Sequence, residues 1–535
     1  MKNIKLTEEQ QNIVEAEGNL VVIANPGSGK TTTLAFKIAE IFKTQKPWKG
    51  VIAISYTNKA SDELKQKVNT LTNDNGNSFF GTIDKFYISN IILPFFKSMY
   101  RVKTHIILNL KVESAKEIVG YDFANSSDDE ILTKSIELLK KGILILEYIS
   151  NLALFIMKKS KECREYLKAR YSHVCIDEYQ DCDEKKHDLF LSLVNTGIIG
   201  IAIGDPNQSI FAFAGSNSEY LVNLTSRNDF KTLFISLNRR NHKYIECYSL
   251  KFLNSNHKCD IPNTRDKRLH LRKINGKEKE ISLWIDKNIN TIMKTYGVKD
   301  YSKIAVLTLY GKTSDNISRF MKTPNRVFIN TPLDESSLYT DIVFKYVLMY
   351  IFGNPNLYIE TIIENHIYAL NSGKIDKFIK FIKSCKKDFL LNNKVELERI
   401  FNEYKKIFKH EIFDENILSV INSDDYVNSY KPLNKNEISI LTIHKSKGSE
   451  YKIVFILDQY KYIIPKHDFE QRKFASIDND RNVHYVAITR AKEAVFFILG
   501  DKRDNSKGEE KEAIISEFLD KNSYWGYLYN FRTNK

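Results

Sequence analysis

The sequence predicts an α/β protein with two parallel-sheet domains, on the basis of three observations. In the first third of the chain, short apolar runs such as Leu20–Ala24 and Val51–Ser55 alternate with helical patterns. The alternation returns near residue 234, with apolar runs at Ile304–Leu309 and Ile438–Thr442. Strands that alternate with helices form parallel sheets, because a crossover between parallel strands needs a connection about as long as a helix. The 535 residues also exceed one hydrophobic core, so about three or four domains are expected.

The first α/β domain is predicted over two stretches of the chain, residues 1–87 and 169–233. Between them, residues 88–168 change to a mostly helical, lysine-rich pattern, which indicates an insert. The predicted elements are a strand at Leu20–Ala24 with a helix through Phe42, a strand at Val51–Ser55 with a helix at Ala60–Val68, and strands at His173–Ile176 and Ile199–Ile203.

The second α/β domain is predicted over residues 234–355 and 433–535. Residues 356–432 are helical and charged, which predicts a second insert of similar length. The predicted strands are Ile304–Leu309, Ile438–Thr442 and Ile453–Leu457.

Charge and hydropathy restrict the possible classes of protein. The chain has 80 Lys and Arg against 66 Asp and Glu, a formal net charge of +14. This surplus is as consistent with a polyanionic partner such as nucleic acid as with a lysine-rich solvated surface. The N-terminus lacks a signal-peptide pattern, and the most apolar stretch, Gly142–Met157, is interrupted and too short to cross a bilayer. We therefore expect a buried helix there, no membrane association and a cytoplasmic protein.

The cysteines predict the same compartment. They form no CxxC pair and no Cys/His cluster with zinc spacing, so free thiols in a reducing cytosol are expected. The six are Cys163, Cys175, Cys182, Cys247, Cys259 and Cys385.

The strongest local signal is a glycine-rich turn between the first strand and its helix. Backbone N–H groups of such a turn close around phosphate oxygens, and the helix N-terminus adds positive potential. We expect Lys30 to reach the β- and γ-phosphates of ATP and Thr31 to bind Mg²⁺. The alternative is an ordinary glycine-rich turn, since Ala24 stands where the strict motif has glycine. The predicted phosphate loop comprises Ala24, Asn25, Pro26, Gly27, Ser28, Gly29, Lys30 and Thr31.

An acidic pair directly follows the predicted strand His173–Ile176. Asp177 is predicted to hold Mg²⁺, and Glu178 is predicted to orient and deprotonate the attacking water. An acidic pair after a strand is equally typical of a solvated strand end. It points to an NTPase only in combination with the phosphate loop.

The run Asp177-Glu178-Tyr179-Gln180-Asp181 resembles a signature motif of the UvrD/Rep/PcrA helicases of superfamily 1. The resemblance implies two RecA-like P-loop NTPase domains with parallel sheets, each interrupted by a short, mainly helical insert. It also implies an ATP-dependent DNA helicase or translocase that uses Mg²⁺ and binds single-stranded DNA or duplex ends. Further motifs follow in family order at Leu6–Gln10, Ser55–Ala60, Gly81–Thr82 with Phe86, Gly204–Ile210, Leu237–Arg240, Thr442–Glu450 and Tyr485–Ala491.

The resemblance also implies roles for residues beyond the phosphate loop. Gln208 is expected to sense the γ-phosphate, and Arg240 and Arg490 are expected to be arginine fingers from the second domain. Closure of the cleft between the domains would then be linked to hydrolysis. The remaining residues assigned to the nucleotide are Gln10, Thr32, Arg239 and Glu450.

Single-stranded DNA is expected to lie across both domains, with bases stacked on aromatic side chains. The alternation Phe211-Ala212-Phe213 favours exposed aromatics, although Tyr56, Phe211 and Phe213 are also consistent with core positions. The residues implied in DNA binding are Tyr56, Thr57, Asn58, Thr82, Phe211, Phe213 and His444.

The chain departs from the family pattern at several of these places. Thr32 and Arg239 replace an Arg and an aromatic residue that enclose adenine in the family, which puts base selectivity in doubt. Phe213 and Ala214 replace Trp and Arg, and Asp84 replaces a common His, so the DNA grip is expected to be weaker.

The short inserts, the run Gly81–Phe86 and the run Asp205–Ser209 resemble the helicase-like subunit of the bacterial Gabija anti-phage system. That resemblance implies an OLD/TOPRIM-type nuclease as partner in a hetero-oligomer, docked on the inserts 88–168 and 356–432, with no nuclease domain fused to this chain. Two alternatives stay open. One is a stand-alone repair helicase or translocase, and the other is a nucleotide-switched DNA-binding module that translocates little.

Overall fold

The structure is a computed structural model of the whole chain. It describes residues 5–520, apart from 57, 73–76, 103–107, 111, 113–115, 117–118, 260–267, 337–338, 354–371, 389–393, 409–413, 469–472, 475 and 506–507.

Strands of the first sheet lie in the N-terminal half of the chain. The strands there are β1 (Asn19–Ala24), β2 (Gly50–Ile54), β3 (Phe79–Gly81), β4 (Leu108–Leu110), β5 (Ile143–Ile145), β6 (Tyr171–Ile176), β7 (Ile199–Gly204) and β8 (Phe230–Ile235). Six of them form a parallel sheet in the order β3-β2-β6-β7-β1-β8. Helices cover both faces, so β1, β2 and β7 are almost continuously buried, which explains their unbroken apolar sequence.

The second sheet repeats this architecture. Its region contains β9 (Leu269–Ile274), β10 (Ile304–Thr308), β11 (Asn325–Val327), β12 (Ile438–Thr442), β13 (Tyr451–Ile456), β14 (His467–Asp468), β15 (Lys473–Phe474), β16 (Ala491–Gly500), β17 (Lys502–Asp504) and β18 (Glu510–Glu512). Six of them form a parallel sheet in the order β11-β12-β10-β13-β16-β9. The predicted fold class, with two parallel-sheet domains, is therefore confirmed.

Helices outside the two interrupting segments pack on the sheets. They are Glu8–Glu15, Lys30–Thr44, Asn58–Leu71, Glu184–Asn195, Glu219–Thr225, Lys243–Leu253, Glu278–Thr295, Gly311–Phe320, Ile443–Ser446 and Ile477–Thr489.

Between β3 and β6 the chain is mainly helical. The apolar stretch Gly142–Met157, predicted as one buried helix, divides into strand β5, a short 3₁₀ turn and a helix that begins at Ile149. β5 pairs in parallel with β4. The helical segments are Ile83–Phe86, a π-helix at Tyr87–Ile92, Leu93–Tyr100, Asp128–Lys140, Ile149–Lys159 and Lys161–Arg170.

Between β11 and β12 the described residues are mainly helical and build a hydrophobic cluster of their own around Phe344, Tyr404 and Ile417. The insert boundaries given above stay predictions. The helices of this region are Pro332–Glu335, Tyr339–Ile351, Ser372–Asp388, Lys394–Phe408, Asp414–Ile421 and Asp424–Tyr430.

Two sequence-based expectations need correction. Phe234 and Ile235 pair with Ile23 and Ala24 in the first sheet, so the predicted start of the second domain at residue 234 is two residues early. Cys247 and Cys259 form a disulfide, so the prediction of six free thiols is wrong for this pair. The fold brings their Cα atoms to 5.8 Å, a proximity that sequence spacing alone does not reveal.

The other four cysteines, Cys163, Cys175, Cys182 and Cys385, are buried and form no disulfide within the described part of the chain. Over the described part of the chain, no helix combines the length and the apolar character needed to span a bilayer.

Candidate nucleotide and DNA site

Glycines shape the phosphate loop at the carboxyl end of β1. Ala24 is the last residue of β1, and the helix that follows begins at Lys30. Gly29 caps that helix with a φ of 83°, and Gly27 has a φ of 68°, both in the left-handed region that favours glycine. A side chain at Gly27 would also collide with Arg240, so this glycine lets a segment from the second domain approach the loop.

Within the loop, Ser28 donates a hydrogen bond to the Asn25 carbonyl at 2.7 Å, and Pro26 is buried. Lys30 is also buried, and Thr32 lies half-buried in the first turn of the helix. The sequence-predicted phosphate-loop residues therefore lie together at one strand end, where backbone N–H groups and a helix N-terminus meet.

Parallel pairing brings the acidic pair to the same edge of the sheet. The Thr31 hydroxyl donates to a carboxylate oxygen of Asp177 at 2.8 Å. Burial and the neighbouring Glu178 raise the pKa of Asp177, a penalty that a cation would offset. Hydroxyl and carboxylate oxygens are the donors that Mg²⁺ prefers, so the two residues fit this ion, which would supply charge neutralisation for phosphate groups.

Glu178 has a left-handed backbone with a φ of 57°, which costs a non-glycine residue roughly 1 kcal/mol. Burial alone would raise its pKa, but Lys30, Lys447, a hydrogen bond from Gln180 and Arg490 outweigh burial and lower it. The carboxylate is therefore ionised at neutral pH and able to accept a proton.

Arg490 reaches from the second domain to the first. Its side chain is 1% exposed and donates to the side-chain oxygen of Gln208 at 2.9 Å. Gln208 in turn donates to the carboxylate of Asp205 at 2.7 Å. Burial and the nearby Arg240 lower the pKa of Arg490 to about 9, against the opposing effect of Glu178. The structure thus brings Gln208, Arg490 and Glu178 together, as expected for one catalytic cleft.

The second predicted finger, Arg240, is half-buried and forms an ion pair with Glu450 at 3.0 Å. Lys492 contacts the same carboxylate at 3.1 Å, and the two cations lower the pKa of Glu450 against the effect of burial. The backbone N–H of Arg239 donates to the Gly27 carbonyl at 3.0 Å, and its exposed guanidinium lies 3.4 Å from the Lys5 carbonyl.

Gln10 lies beside the phosphate loop with both ends of its amide bonded. It accepts from the Thr7 N–H at 3.0 Å and donates to the Ser28 carbonyl at 2.9 Å. Its side chain is 3% exposed. The resemblance of Leu6–Gln10 to a family motif implies that Gln10 binds the adenine edge. Such binding would compete with these two bonds, and the role stays a prediction.

Four predicted DNA residues form an aromatic cluster across the two domains. Tyr56 and Phe211 stack with ring centroids 5.7 Å apart, and His444 from the second domain lies 5.7 Å from Phe213. Phe213 is 77% exposed and Tyr56 is 37% exposed, so neither is a core aromatic. Burial and Lys447 lower the pKa of His444, which is therefore neutral at pH 7.

The other predicted DNA residues are less well defined. Thr82 is the N-cap of the short helix Ile83–Phe86, and Asn58 is the first residue of the helix Asn58–Leu71. Thr57 lies outside the described residues.

Three functional candidates escaped the sequence reasoning. The Lys447 ammonium donates to both oxygens of Asp181 and to the Gln208 carbonyl, and lies 4.8 Å from the Phe211 ring centroid. Gln180 contacts Glu178. Lys447, Asp181 and Gln180 all lie within the quoted motifs. Lys447 and Asp181 contact each other from distant parts of the chain, and Gln180 also accepts from the Asp205 backbone, so these contacts leave no local signal.

The family models match both halves of the chain. Residues 8–214 match the AAA domain, and residues 364–502 match the UvrD-like helicase C-terminal domain. This chain belongs to the UvrD-like helicases. It is an ATP-dependent DNA helicase, and the P-loop and the arginines described above lie in the two matched regions or between them.

Curated relatives cover nearly the whole of this helicase. It is 27% identical to Gabija protein GajB of Bacillus cereus over 92% of this chain and 95% of that protein. It is 24% identical to a probable DNA helicase II homolog of Mycoplasma capricolum over 96% of this chain and 86% of that protein. It is 21% identical to the ATP-dependent DNA helicase PcrA of Staphylococcus aureus over 92% of this chain and 82% of that protein.

Proposed function

We propose that this helicase is the cytoplasmic motor subunit of a Gabija-type antiviral defence complex and works with a separate OLD/TOPRIM-type nuclease. The observation that carries the proposal is the match to a Gabija protein over 95% of that protein's length. That alignment extends over 528 positions, fewer than the 535 residues of this chain. The alignments to the DNA helicase II homolog and PcrA extend over 630 and 614 positions, so those proteins contain stretches with no counterpart here.

In the proposed reaction, ATP binds with its phosphates on the loop Ala24–Thr31. Thr31 and Asp177 would hold Mg²⁺, which would neutralise phosphate charge, and Glu178 accepts the proton of the attacking water. Gln208, Arg240 and Arg490 stabilise the charge that develops on the γ-phosphate. This assignment is supported by the shared strand edge and by the hydrogen bond from Arg490 to Gln208.

On the DNA side, we propose that bases stack on the aromatic cluster of Tyr56, Phe211, Phe213 and His444. The cluster combines residues of both domains, so relative movement of the domains would change the stacking contacts with single-stranded DNA. Lys447 connects this cluster to Asp181, four residues beyond the proposed Mg²⁺ ligand Asp177.

Co-expression with the product of the neighbouring gene tests the nuclease partnership. We expect a stable complex whose mass exceeds that of this 62.3 kDa chain by whole nuclease subunits. Charge-reversal variants of exposed lysines on the helices Asp128–Lys140 and Lys394–Phe408 should weaken it if the inserts carry the docking surface. A solitary chain with no nuclease gene beside it would contradict the proposal.

A stand-alone repair helicase is the second candidate, favoured by the match to the DNA helicase II homolog over 96% of this chain. The discriminating measurement is unwinding of kilobase duplexes by the purified chain. Fast, processive unwinding without a partner would favour repair. DNA-stimulated ATP hydrolysis with poor unwinding would favour the defence motor. Nucleotide binding without DNA-stimulated turnover would instead indicate a nucleotide-switched binding module.

A further inference from the structure

Gln180 lies between the acidic pair and the turn that begins at Asp205. It belongs to the 3₁₀ turn Tyr179–Asp181 after β6, and its side chain is 0% exposed. Its amide nitrogen donates to the Glu178 carboxylate, and its amide oxygen accepts from the Asp205 backbone N–H at 3.0 Å. Both ends of one buried amide are therefore used to join two motifs that lie on neighbouring strands.

Gly204 makes room for this arrangement. A Cβ atom at residue 204 would collide with the amide oxygen of Gln180. The end of β7 can therefore approach Gln180 closely only because this residue is glycine. The close contact therefore depends on Gln180 after β6 and on Gly204 at the end of β7.

The surroundings of Glu178 explain why a directional contact is useful. Lys30, Lys447 and Arg490 all attract its carboxylate, and such attraction has little directional preference. A hydrogen bond, by contrast, fixes the position of the accepting oxygen. Gln180 supplies that bond from a side chain held at its other end by the backbone of Asp205.

We propose that Gln180 is the positioning residue that holds the Glu178 carboxylate for water activation, an inference that rests on the proposed role of Glu178. It also joins Glu178 to the second domain, since Asp205 accepts from Gln208 and Gln208 accepts from Arg490. Arrival of Arg490 on domain closure would thereby be transmitted through Asp205 and Gln180 to the water-activating group.

Gln180→Glu tests the proposal, because it keeps the acceptor for Asp205 and the side-chain size but replaces the amide donor to Glu178 with a carboxyl group that repels Glu178 or shares a proton with it. We expect kcat for DNA-stimulated ATP hydrolysis to fall about 10–100-fold, the usual effect of losing a supporting hydrogen bond. KM for ATP and the affinity for a fluorescent ATP analogue should change less than about twofold, because the proposed role of Gln180 involves no contact with bound ATP. Loss of such a contact would instead raise KM. An unchanged kcat, or a parallel change in KM, would overturn the positioning role.

A double-mutant cycle separates this inference from the role of Glu178. In a Glu178→Gln background, Gln180→Glu should cause no further loss, because the residue that it positions is already disabled. The same fold loss in both backgrounds would show that Gln180 acts independently and would overturn the inference. Near-normal turnover of Glu178→Gln alone would overturn the proposed role of Glu178 and the inference with it.

Gln459 offers a matched control in the second domain. It is also 0% exposed, and both ends of its amide are bonded, to the Leu457 carbonyl and to His484. Gln459→Glu should lower thermal stability but leave kcat of the folded protein unchanged. Gln180→Leu removes the same donor without adding charge, and it should show the same fall in kcat at nearly unchanged KM. It is required beside Gln180→Glu, because a new carboxyl group next to Glu178 would by itself also lower kcat.

Discussion

At the scale of single residues, the cleft brings together positive charge from both domains. Glu178 is influenced by Lys30, Lys447 and Arg490, and Arg490 is repelled by Arg240. Cations gathered in a partly buried place attract a polyanion strongly. A triphosphate bound there would also relieve the repulsion between the two arginines.

The first prediction separates nucleotide binding from hydrolysis. Lys30→Ala should lose most ATPase activity through weaker binding of the phosphates, whereas Glu178→Gln should bind ATP without turning it over. DNA-stimulated phosphate release and binding of a fluorescent ATP analogue are the measurements. Lys43→Ala, on the exposed side of the same helix, is the control and should keep both properties.

The second prediction concerns the arginine fingers. Arg240→Ala and Arg490→Lys should each reduce turnover by about 10³–10⁵, the usual contribution of a finger. Their effects on stability should differ. Arg490 is buried and donates to the Val486 and Ser449 carbonyls, whereas Arg240 is half-buried with one ion pair. The melting temperature should therefore fall clearly for Arg490→Lys and little for Arg240→Ala. Normal ATP turnover in either variant would show that the substituted arginine has no catalytic role.

The third prediction concerns pH. His484 is fully buried among Phe252, Phe497 and Phe518, and burial lowers its pKa to about 3. In the unfolded chain this histidine binds a proton as the pH falls through about 6.5, whereas in the folded chain it stays neutral. The free energy of unfolding therefore decreases as the pH falls below about 6.5. Between pH 8 and pH 5 the loss from this residue should be about 2 kcal/mol. The urea concentration at the unfolding midpoint should therefore fall less between pH 8 and pH 5 for His484→Phe than for the unsubstituted protein. Parallel curves of midpoint against pH for the two proteins would contradict the prediction.

At the scale of elements, sequence periodicity located most of the interior strands because buried parallel strands are continuous apolar runs. The interior strand β16 was not predicted, although its burial is nearly continuous. β12 has its predicted ends, and β1, β2 and β10 differ from theirs by one residue. The edge strand β8 escaped prediction because one side is open and its burial is interrupted at Lys231 and Phe234. β3 and β11 have three residues each, too few for a period to be recognised.

The candidate site was predictable for a different reason. Its residues lie at strand ends, and the order of motifs along the chain resembles that of a known family. The contact of Gln180 with Asp205 could not be predicted, since it depends on which strands are neighbours. The contact of Lys447 with Asp181 depends on how the two sheets face each other. The disulfide between Cys247 and Cys259 depends on how the chain folds back after the helix Lys243–Leu253.

The fourth prediction concerns the return of the chain from the second helical segment to β12. Arg326 on β11 is buried and donates to the Lys431 and Pro432 carbonyls and to Glu437. Arg326→Met should destabilise this junction by roughly 3 kcal/mol, because two backbone carbonyls and a half-buried carboxylate lose their buried donor. Hydrogen exchange should accelerate in the helix Asp424–Tyr430. Arg319→Met changes an exposed side chain nearby and should alter the free energy of unfolding by no more than about 0.5 kcal/mol. Equal hydrogen-exchange rates in the two variants would contradict the prediction.

At the scale of the whole molecule, the two halves are connected at the residues proposed to bind ATP and DNA. Arg490 and Lys447 of the second half bond to Gln208 and Asp181 of the first, and Asn482 donates to the Ser209 carbonyl. The surplus positive charge of +14 acts over the whole surface and favours DNA irrespective of its sequence.

The fifth prediction separates charge from stacking in DNA binding. Affinity for single-stranded DNA should fall with added salt, with a logarithmic slope of about 0.7 for each phosphate contacted. Phe213→Ala should weaken binding by about 1–3 kcal/mol through lost stacking, without changing that slope. Fluorescence anisotropy at several salt concentrations is the measurement. Trp48→Ala, an exposed aromatic before β2 at the opposite edge of the first sheet, is the control and should leave affinity unchanged.

The chain passes between the two sheets along residues 236–242, and this crossing segment is bonded on both sides of the nucleotide site. Arg239 bonds to Gly27 in the first domain, and Asn241 bonds to the Thr489 and Ala491 carbonyls in the second. Rotation of one half against the other would therefore strain these bonds beside the phosphate loop. Occupancy of the proposed nucleotide site and the angle between the two halves are thus coupled through this short covalent tether.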